Sequence, residues 1–237
     1  IMIKAAEKAS RALIRDFGEI EKLQVSIKGP TDFVSNADLK AEKIIIEELK
    51  KARPYYSIIS EEDGSESNKD KNNTWIIDPI DGTTNFLHGV PHFAISIALR
   101  SGDEIVSGII YDPIKDEMFY AEKENGAFFN NQRIRVSQKR ELNSCLFATG
   151  GLSTNEVDLI LRKSGSAALD MAYVAAGRYD GYFQNELNLW DVAAGIIILK
   201  EAGGMINAIN LSQNKNIQIR ASSMAINDKM LKKLENF

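Results

Sequence analysis

The 237-residue chain carries 33 Asp+Glu against 29 Lys+Arg, a net charge of −4, with only two His and one Cys. One cysteine makes neither an internal disulfide nor a thiolate zinc cage, and two histidines cannot furnish a His-rich metal site. A catalytic metal here would need oxygen ligands, which suits hard ions such as Mg²⁺, and the slight acidity gives no global attraction to nucleic acid or an anionic membrane.

The elements follow in chain order. Ile3 to Phe17 has Ala5, Ala6, Ala9, Leu13, Ile14 and Phe17 near helical spacing, which predicts an amphipathic helix. Its alternating charges lack the apolar run of a secretory leader, and no stretch reaches the roughly 18 apolar residues of a membrane span. A cytoplasmic protein is the expectation. Lys28 to Asp32 has the Gly-Pro punctuation of a loop. Ala37 to Lys51 reads as a second helix, stopped by Pro54. Tyr56 to Ile59 reads as a short strand running into Glu61-Glu62-Asp63, Ser65 to Asn73 as an exposed loop, and Trp75 to Ile77 as a short buried strand.

Runs at Phe93–Arg100, Glu104–Tyr111, Glu117–Glu122, Gly126–Asn130 and Arg133–Val136 predict a β-meander, with Asn130-Asn131-Gln132 as a hairpin connection. Ala167 to Ala176 and Asp191 to Ala202 predict helices closed by Gly177 and by Gly203-Gly204. Antiparallel strands mixed with helices imply an α/β (α+β) layered sandwich of helices and sheets. The expected organisation is one domain over 1–237, with halves of about 1–140 and 141–237.

The chemistry concentrates in Trp75-Ile76-Ile77-Asp78-Pro79-Ile80-Asp81-Gly82-Thr83-Thr84-Asn85-Phe86. A buried strand ends on Asp78, and Pro79 cannot donate to a ladder, so a turn is expected there. Asp81 follows three residues on, Gly82 permits close backbone approach, and Thr83-Thr84 suits a helix start whose free N–H groups favour a phosphate. Alone, Asp-x-x-Asp is equally an acidic strand-to-helix turn with Asp81 as a cap. Two further acidic points accompany it: Glu61-Glu62-Asp63 after a strand, and Asp191 opening an apolar helix. His88 and His92 flank Gly89-Val90-Pro91 and are read as loop and core packing in preference to general acids.

Together these segments resemble the inositol monophosphatase family of Mg²⁺-dependent, lithium-sensitive phosphatases. The resemblance rests on the Trp75–Phe86 motif and on Trp190-Asp191 through Gly203-Gly204 (WDVAAGIIILKEAGG). It extends to Asp32–Asp38 (DFVSNAD), Ser60-Glu61-Glu62 and Gly165–Asp170 (GSAALD). It implies a sandwich with two sheets, a homodimer, and hydrolysis of small phosphate monoesters, inositol 1-monophosphate first, by activated water. Glu61, Asp78 and the Ile80 carbonyl would hold one Mg²⁺, and Asp78, Asp81 and Asp191 a second. Glu61 would also touch a third, weaker ion. Gly82 and Thr83 N–H groups would bind phosphate, and Thr83 with Asp38 would orient and deprotonate the attacking water. Ser166 and Ala167 would offer backbone contacts to the alcohol, and Lys28 would belong to a loop that completes the site.

Two departures bear on specificity. Relatives using inositol phosphates place a Glu seven residues before the second-motif Asp, where this chain has Gln184, with Glu186 nearby. Gln donates and accepts but carries no charge. Histidinol phosphate, a sugar bisphosphate or a nucleotide 3′-phosphate therefore stay open as substrates of the same chemistry. So does a regulatory role on RNA-processing or transcription partners, reached through protein and not direct nucleic-acid contact. The stretches Leu152–Ser164 and Asn207–Ile219 are also short for the family.

Overall fold

The structure is a computed structural model that describes residues 1–19, 25–29, 32–151 and 158–235, with backbone alone at 25–29 and 32–35. The N-terminal part runs α1 (Met2–Phe17), β1 (Val25–Gly29), β2 (Asp32–Ser35), α2 (Asn36–Ala52), β3 (Tyr56–Ser60), β4 (Gly64–Glu66), β5 (Asp70–Asp81) and α3 (Thr83–Leu87). The meander follows as β6 (Ala94–Ser101), β7 (Glu104–Asp112), β8 (Glu117–Glu122), β9 (Gly126–Phe129) and β10 (Gln132–Arg133). The remainder is β11 (Leu146–Ala148), β12 (Ile160–Arg162), α4 (Ala167–Ala175), β13 (Gly181–Leu187), α5 (Leu189–Glu201), β14 (Gly204–Ile209), β15 (Ile217–Ser223) and α6 (Asn227–Lys233).

Two sheets stack with helices between and outside them. The first has eight strands in the order β10-β9-β8-β7-β6-β5-β3-β4, and the second five in the order β12-β11-β13-β15-β14. On one face of the large sheet, Ala9 and Leu13 of α1 and Ala41, Ile45 and Leu49 of α2 pack against Trp75, Ile77, Ile95 and Ile97. On its other face lie α4 and α5, which also meet the small sheet through Tyr182, Ile219 and Ala221. Outside the small sheet, Met230 of α6 closes over Phe147 and Phe183. Each large aliphatic side chain so buried contributes about 1.5–3 kcal/mol, so α5, apolar on nearly every side, belongs in the middle layer.

Several sequence expectations are corrected. Lys28-Gly29 is not loop but the end of β1, which pairs antiparallel with β2. Ser65–Asn73 is not one exposed loop: Gly64–Glu66 pairs with β3, and Asp70 already stands opposite Tyr56. The Asp70 carboxylate accepts the N–H groups of Asn72 and Asn73 at 2.9 and 3.0 Å, which fixes polar residues that read as an exposed loop. The strand predicted at Arg133–Val136 shrinks to Gln132–Arg133. The expected hairpin is present: Asn130 and Asn131 both take left-handed φ (42° and 67°), the twist-matched two-residue turn. In the abbreviated 207–219 stretch, Asn210, Asn214 and Asn216 take left-handed φ between β14 and β15, which compacts the link.

The correction that matters most concerns β5. It does not turn away at Pro79 but continues to Asp81. Opposite β6, Asp78 pairs with Ser96 and Asp81 with Ala94, so three steps on β5 face two on its partner. This is a bulge, a position where a strand tolerates proline.

The outer helices are tied by charge. Glu48 of α2 accepts Lys8 of α1 at 2.7 Å and Lys51 at 2.8 Å, with Lys4 at 3.2 Å. Its hydrogen bonds to Lys51, Lys8 and Lys4 hold the carboxyl down at about 2, against an ordinary 4.5. A depressed carboxyl stabilises the fold fully above its unfolded value and loses that contribution as pH falls toward the folded one. Glu48→Gln is therefore expected to lower the unfolding midpoint at pH 7, with the gap narrowing below about pH 4.5 and closing near 2. Added salt shrinks it as well, since the lysines are solvent-facing. Thermal scans from pH 3 to 7 check this; a gap independent of pH would show that Glu48 acts by packing alone.

Candidate metal and phosphate site

Residues three apart on a regular strand point to opposite faces. The extra residue in the β5 bulge changes that, and Asp78 and Asp81 both turn toward the middle helical layer. There they meet Asp191 in the first turn of α5: ligand oxygens of Asp78, Asp81 and Asp191 all lie within 4.8 Å of one another. Asp78 and Asp81 are buried.

Each acid is held by backbone. Asp78 accepts the Ile80 N–H at 3.0 Å. Asp81 does not cap α3. It crosses to the start of α4, taking the Ser166 hydroxyl, the Ala168 N–H at 2.9 Å and the Ala167 N–H at 3.3 Å. A carboxylate on the free N–H groups of a helix start is well placed electrostatically. Asp191 accepts the Asn188 N–H at 2.7 Å in a capping box.

Among the described residues no lysine or arginine forms an ion pair with any of the three. Burial, then the charges of Glu61, Asp81 and Asp191, push the Asp78 carboxyl well above the usual range. Burial lifts Asp81 to about 6 against the pull of Ser166 and the α4 N–H groups. Burial and then the Asp81 charge lift Asp191 to about 7. Three converging carboxylates that oppose one another's ionisation, with only oxygen donors, fit a hard divalent cation.

The neighbouring groups come from three other elements. Glu61 occupies the tip of the β3–β4 hairpin, close enough for its charge to act on Asp78. Asp38 is buried on α2, 3.2 Å from the Thr83 hydroxyl, which also donates to the Ile80 carbonyl at 3.0 Å. Gly82 starts α3 with φ 101° and ψ 36°. A Cβ there would meet the Gly165 and His92 carbonyls at 3.2 Å, so both conformation and space require glycine.

On the α4 side, the Ser166 hydroxyl and Ala167 N–H, which the sequence assigns to the alcohol's surroundings, both serve Asp81. Gln184 lies half-buried on β13, where its Oε1 accepts the Tyr182 hydroxyl at 2.8 Å. Its amide fills the space over Gly150, where a Cβ would come within 2.1 Å of Oε1. Glu186 is exposed in a left-handed conformation on the same strand. The Lys28 side chain lies outside the described residues, as does 152–157 of the short 152–164 stretch. His88 is exposed at the end of α3, and His92 packs edge-on to Tyr173 at 6.0 Å, with burial pushing its imidazole down.

Three supporting residues escaped the sequence reading. Asn85 donates to the carbonyls of His92 (2.7 Å) and Ser164 (2.8 Å), tying α3 to the Gly165 loop. Buried Asp170 accepts the Ser164 hydroxyl at 2.7 Å, and burial raises its carboxyl well above the usual range. Buried Glu42 accepts the N–H groups of Glu62 and Asp63, with burial raising its own carboxyl. Asn85 and Asp170 stood inside the quoted motifs without an assigned role, while Glu42 follows Asp38 by one helical turn on a predicted helix, hence on the same face.

Comparison with known proteins agrees with this geometry. The sequence model described as "Inositol monophosphatase family" matches residues 1–236. A Caulobacter vibrioides protein named inositol-1-monophosphatase is 46% identical, covering 98% of this chain and 99% of its own length. A Pasteurella multocida protein named Nus factor SuhB is 41% identical over 89% of this chain and 84% of its own. Among solved structures, the extragenic suppressor protein suhB of Bartonella henselae superposes with a TM-score of 0.93 at 47% identity, covering 98% of this chain and 96% of that one.

An unneutralised acidic cluster has a thermodynamic consequence. Asp78→Asn removes one of three repelling charges yet keeps an oxygen for the Ile80 N–H. In EDTA it is expected to unfold at or above the parental midpoint. Mg²⁺ is expected to raise the parent by about 5 °C or more near saturation and to leave the variant unmoved. Scans with and without Mg²⁺ measure both, and a parental-size rise in the variant would remove Asp78 from the site.

Proposed function

This chain belongs to the inositol monophosphatase family, and we propose that it is a Mg²⁺-dependent phosphatase of small phosphate monoesters, with inositol 1-monophosphate as first substrate. The observation that carries the reading is the convergence of Asp78, Asp81 and Asp191 beside Gly82 and Thr83. Glu61, Asp78 and the Ile80 carbonyl are assigned to one ion and Asp78, Asp81 and Asp191 to a second, with Glu61 reaching a third, weaker one. Bound Mg²⁺ would supply positive charge against the phosphate dianion and the departing alkoxide and would make a nearby water easier to deprotonate.

The chain's own groups supply the rest. The Gly82 and Thr83 N–H groups receive the phosphate oxygens at a backbone without a Cβ. Asp38 accepts the Thr83 proton, which turns a lone pair of the Thr83 oxygen toward the incoming water. That water is then held by its own O–H and aimed at phosphorus. Asp81, fixed by the start of α4, keeps the reacting side registered with Ser166 and Ala167, assigned to the alcohol, while Lys28, near the end of β1, is assigned to complete the site. A homodimer, sensitivity to Li⁺ and a cytoplasmic location belong to the same reading.

Gln184 governs which alcohol is preferred. A charged acceptor to a hydroxyl is stronger than a neutral one by about 1 kcal/mol, so the amide weakens strict inositol preference and admits histidinol phosphate, a sugar bisphosphate or a nucleotide 3′-phosphate. The relative named Nus factor SuhB supports a second reading, a regulatory role on transcription or RNA-processing partners. With a net charge of −4, such contact would run through protein surfaces.

A phosphate-release panel with and without Mg²⁺ and Li⁺ tests the assignment. Asp81→Asn is expected to keep the fold and lose at least about 10²-fold in kcat; near-parental turnover would sink the metal-ligand role. Gln184→Glu is expected to improve kcat/KM for inositol 1-monophosphate by roughly fivefold relative to the other monoesters. An unchanged ratio would place the choice of alcohol elsewhere.

A further inference from the structure

Glu42 is 1% exposed, and no ion pair reaches it among the described residues. Its two oxygens serve separate peptide groups: Oε2 takes the Glu62 N–H at 3.1 Å and Oε1 the Asp63 N–H at 2.8 Å. Those groups, with Glu61, form the three-residue tip between Ser60 and Gly64, which pair across the β3–β4 hairpin. Gly64 takes φ 78° there, as such a short connection demands.

The other side of the tip is anchored too. The Glu61 N–H donates to the Ile77 carbonyl at 3.2 Å, one residue before Asp78. Glu61 is thus fixed at its own peptide by β5 and at the next two by α2. The tip would otherwise be a charged, solvent-edge turn of Glu61-Glu62-Asp63 with free N–H groups and mutual repulsion, free to swing. The acceptor that holds it sits on the helix that carries Asp38, one turn away. One rigid helix therefore sets both the Thr83 contact and the hairpin tip.

We propose that Glu42 is a positioning residue for the metal centre: by binding the peptide N–H groups of Glu62 and Asp63 it clamps the hairpin tip so that the Glu61 carboxylate stays beside Asp78. The inference rests on the metal assignment above and adds the element that holds Glu61 in place. Groups that orient metal ligands typically change metal affinity by about 10–100-fold when removed.

The test uses the full chain with Glu42→Gln and Glu42→Ala and needs no substrate. Amide exchange in EDTA reads the clamp. Glu62 and Asp63 are expected to be protected in the parent, partly in Glu42→Gln, which keeps one acceptor oxygen, and not in Glu42→Ala. Calorimetric titration with Mg²⁺ reads the site, with Kd expected to rise about 10-fold or more in Glu42→Ala and less in Glu42→Gln. Should Glu42→Ala fail to fold, Glu42→Gln alone decides by the same two readings. Protection of both amides retained in the variant overturns the clamp. Protection lost with parental Mg²⁺ affinity shows a purely structural turn and overturns the positioning role. A parent that binds no Mg²⁺ fails the metal assignment itself, which is visible before any variant is compared.

Discussion

Three carboxylates brought together, with no lysine or arginine paired to them among the described residues, are the constraint around which this molecule is arranged. Asp78, Asp81 and Asp191 repel one another and are taken out of water, which raises all three carboxyls. Folding tolerates this only because each acid is gripped by backbone N–H groups and the surrounding layers are packed tightly enough to hold the strained cluster. The strongest grip is on Asp81, at the start of α4. The same bonds that hold the Asp81 carboxylate also fix the register of α4 against β5.

The layered architecture explains why these groups can meet. β5 lies inside the eight-stranded sheet, α4 and α5 lie between the two sheets, and α2 covers the outer face. The bulge at Pro79 and Ile80 opens β5 where these layers converge. Asp38 reaches Thr83 from outside the sheet, while Asp81 and Asp191 face the helices on the other side. The site is therefore assembled from elements on both faces of one strand, with Glu61 contributed by a hairpin turn and not by a helix or strand. That division makes the Glu42 contact consequential.

The residue proposed to choose the alcohol sits on a different element. Gln184 belongs to β13 in the small sheet and is oriented by the Tyr182 hydroxyl and by the absence of a side chain at Gly150. The residues of the candidate metal and phosphate site belong chiefly to the large sheet and its helices. Such a separation lets the alcohol change while the phosphate chemistry is kept.

Much of the candidate site was legible in the chain because its chemistry is local. Asp78, Asp81, Gly82 and Thr83 occupy one short segment, in which strand propensity, a glycine and two threonines mark a buried strand running into a helix start, although the turn expected at Pro79 is absent. The helices at Ala37–Lys51 and Asp191–Ala202 and the meander were likewise written in hydrophobic period and turn residues. What those patterns could not carry is long-range. A short polar strand such as β4 has no periodicity of its own and exists because β3 offers it a ladder. The bulge in β5 is decided by pairing with β6, and the Asp81 contact with α4 spans 85 residues. The clamp of Glu42 on the hairpin tip is of the same kind: one helical turn from Asp38 in sequence, yet meaningful only once α2 is packed beside β3. Residue type and spacing determined which chemistry this chain can hold, because donor atoms and backbone preferences are local properties. Tertiary packing alone decided which carboxylates converge and what holds them there, because charge repulsion and burial act through space.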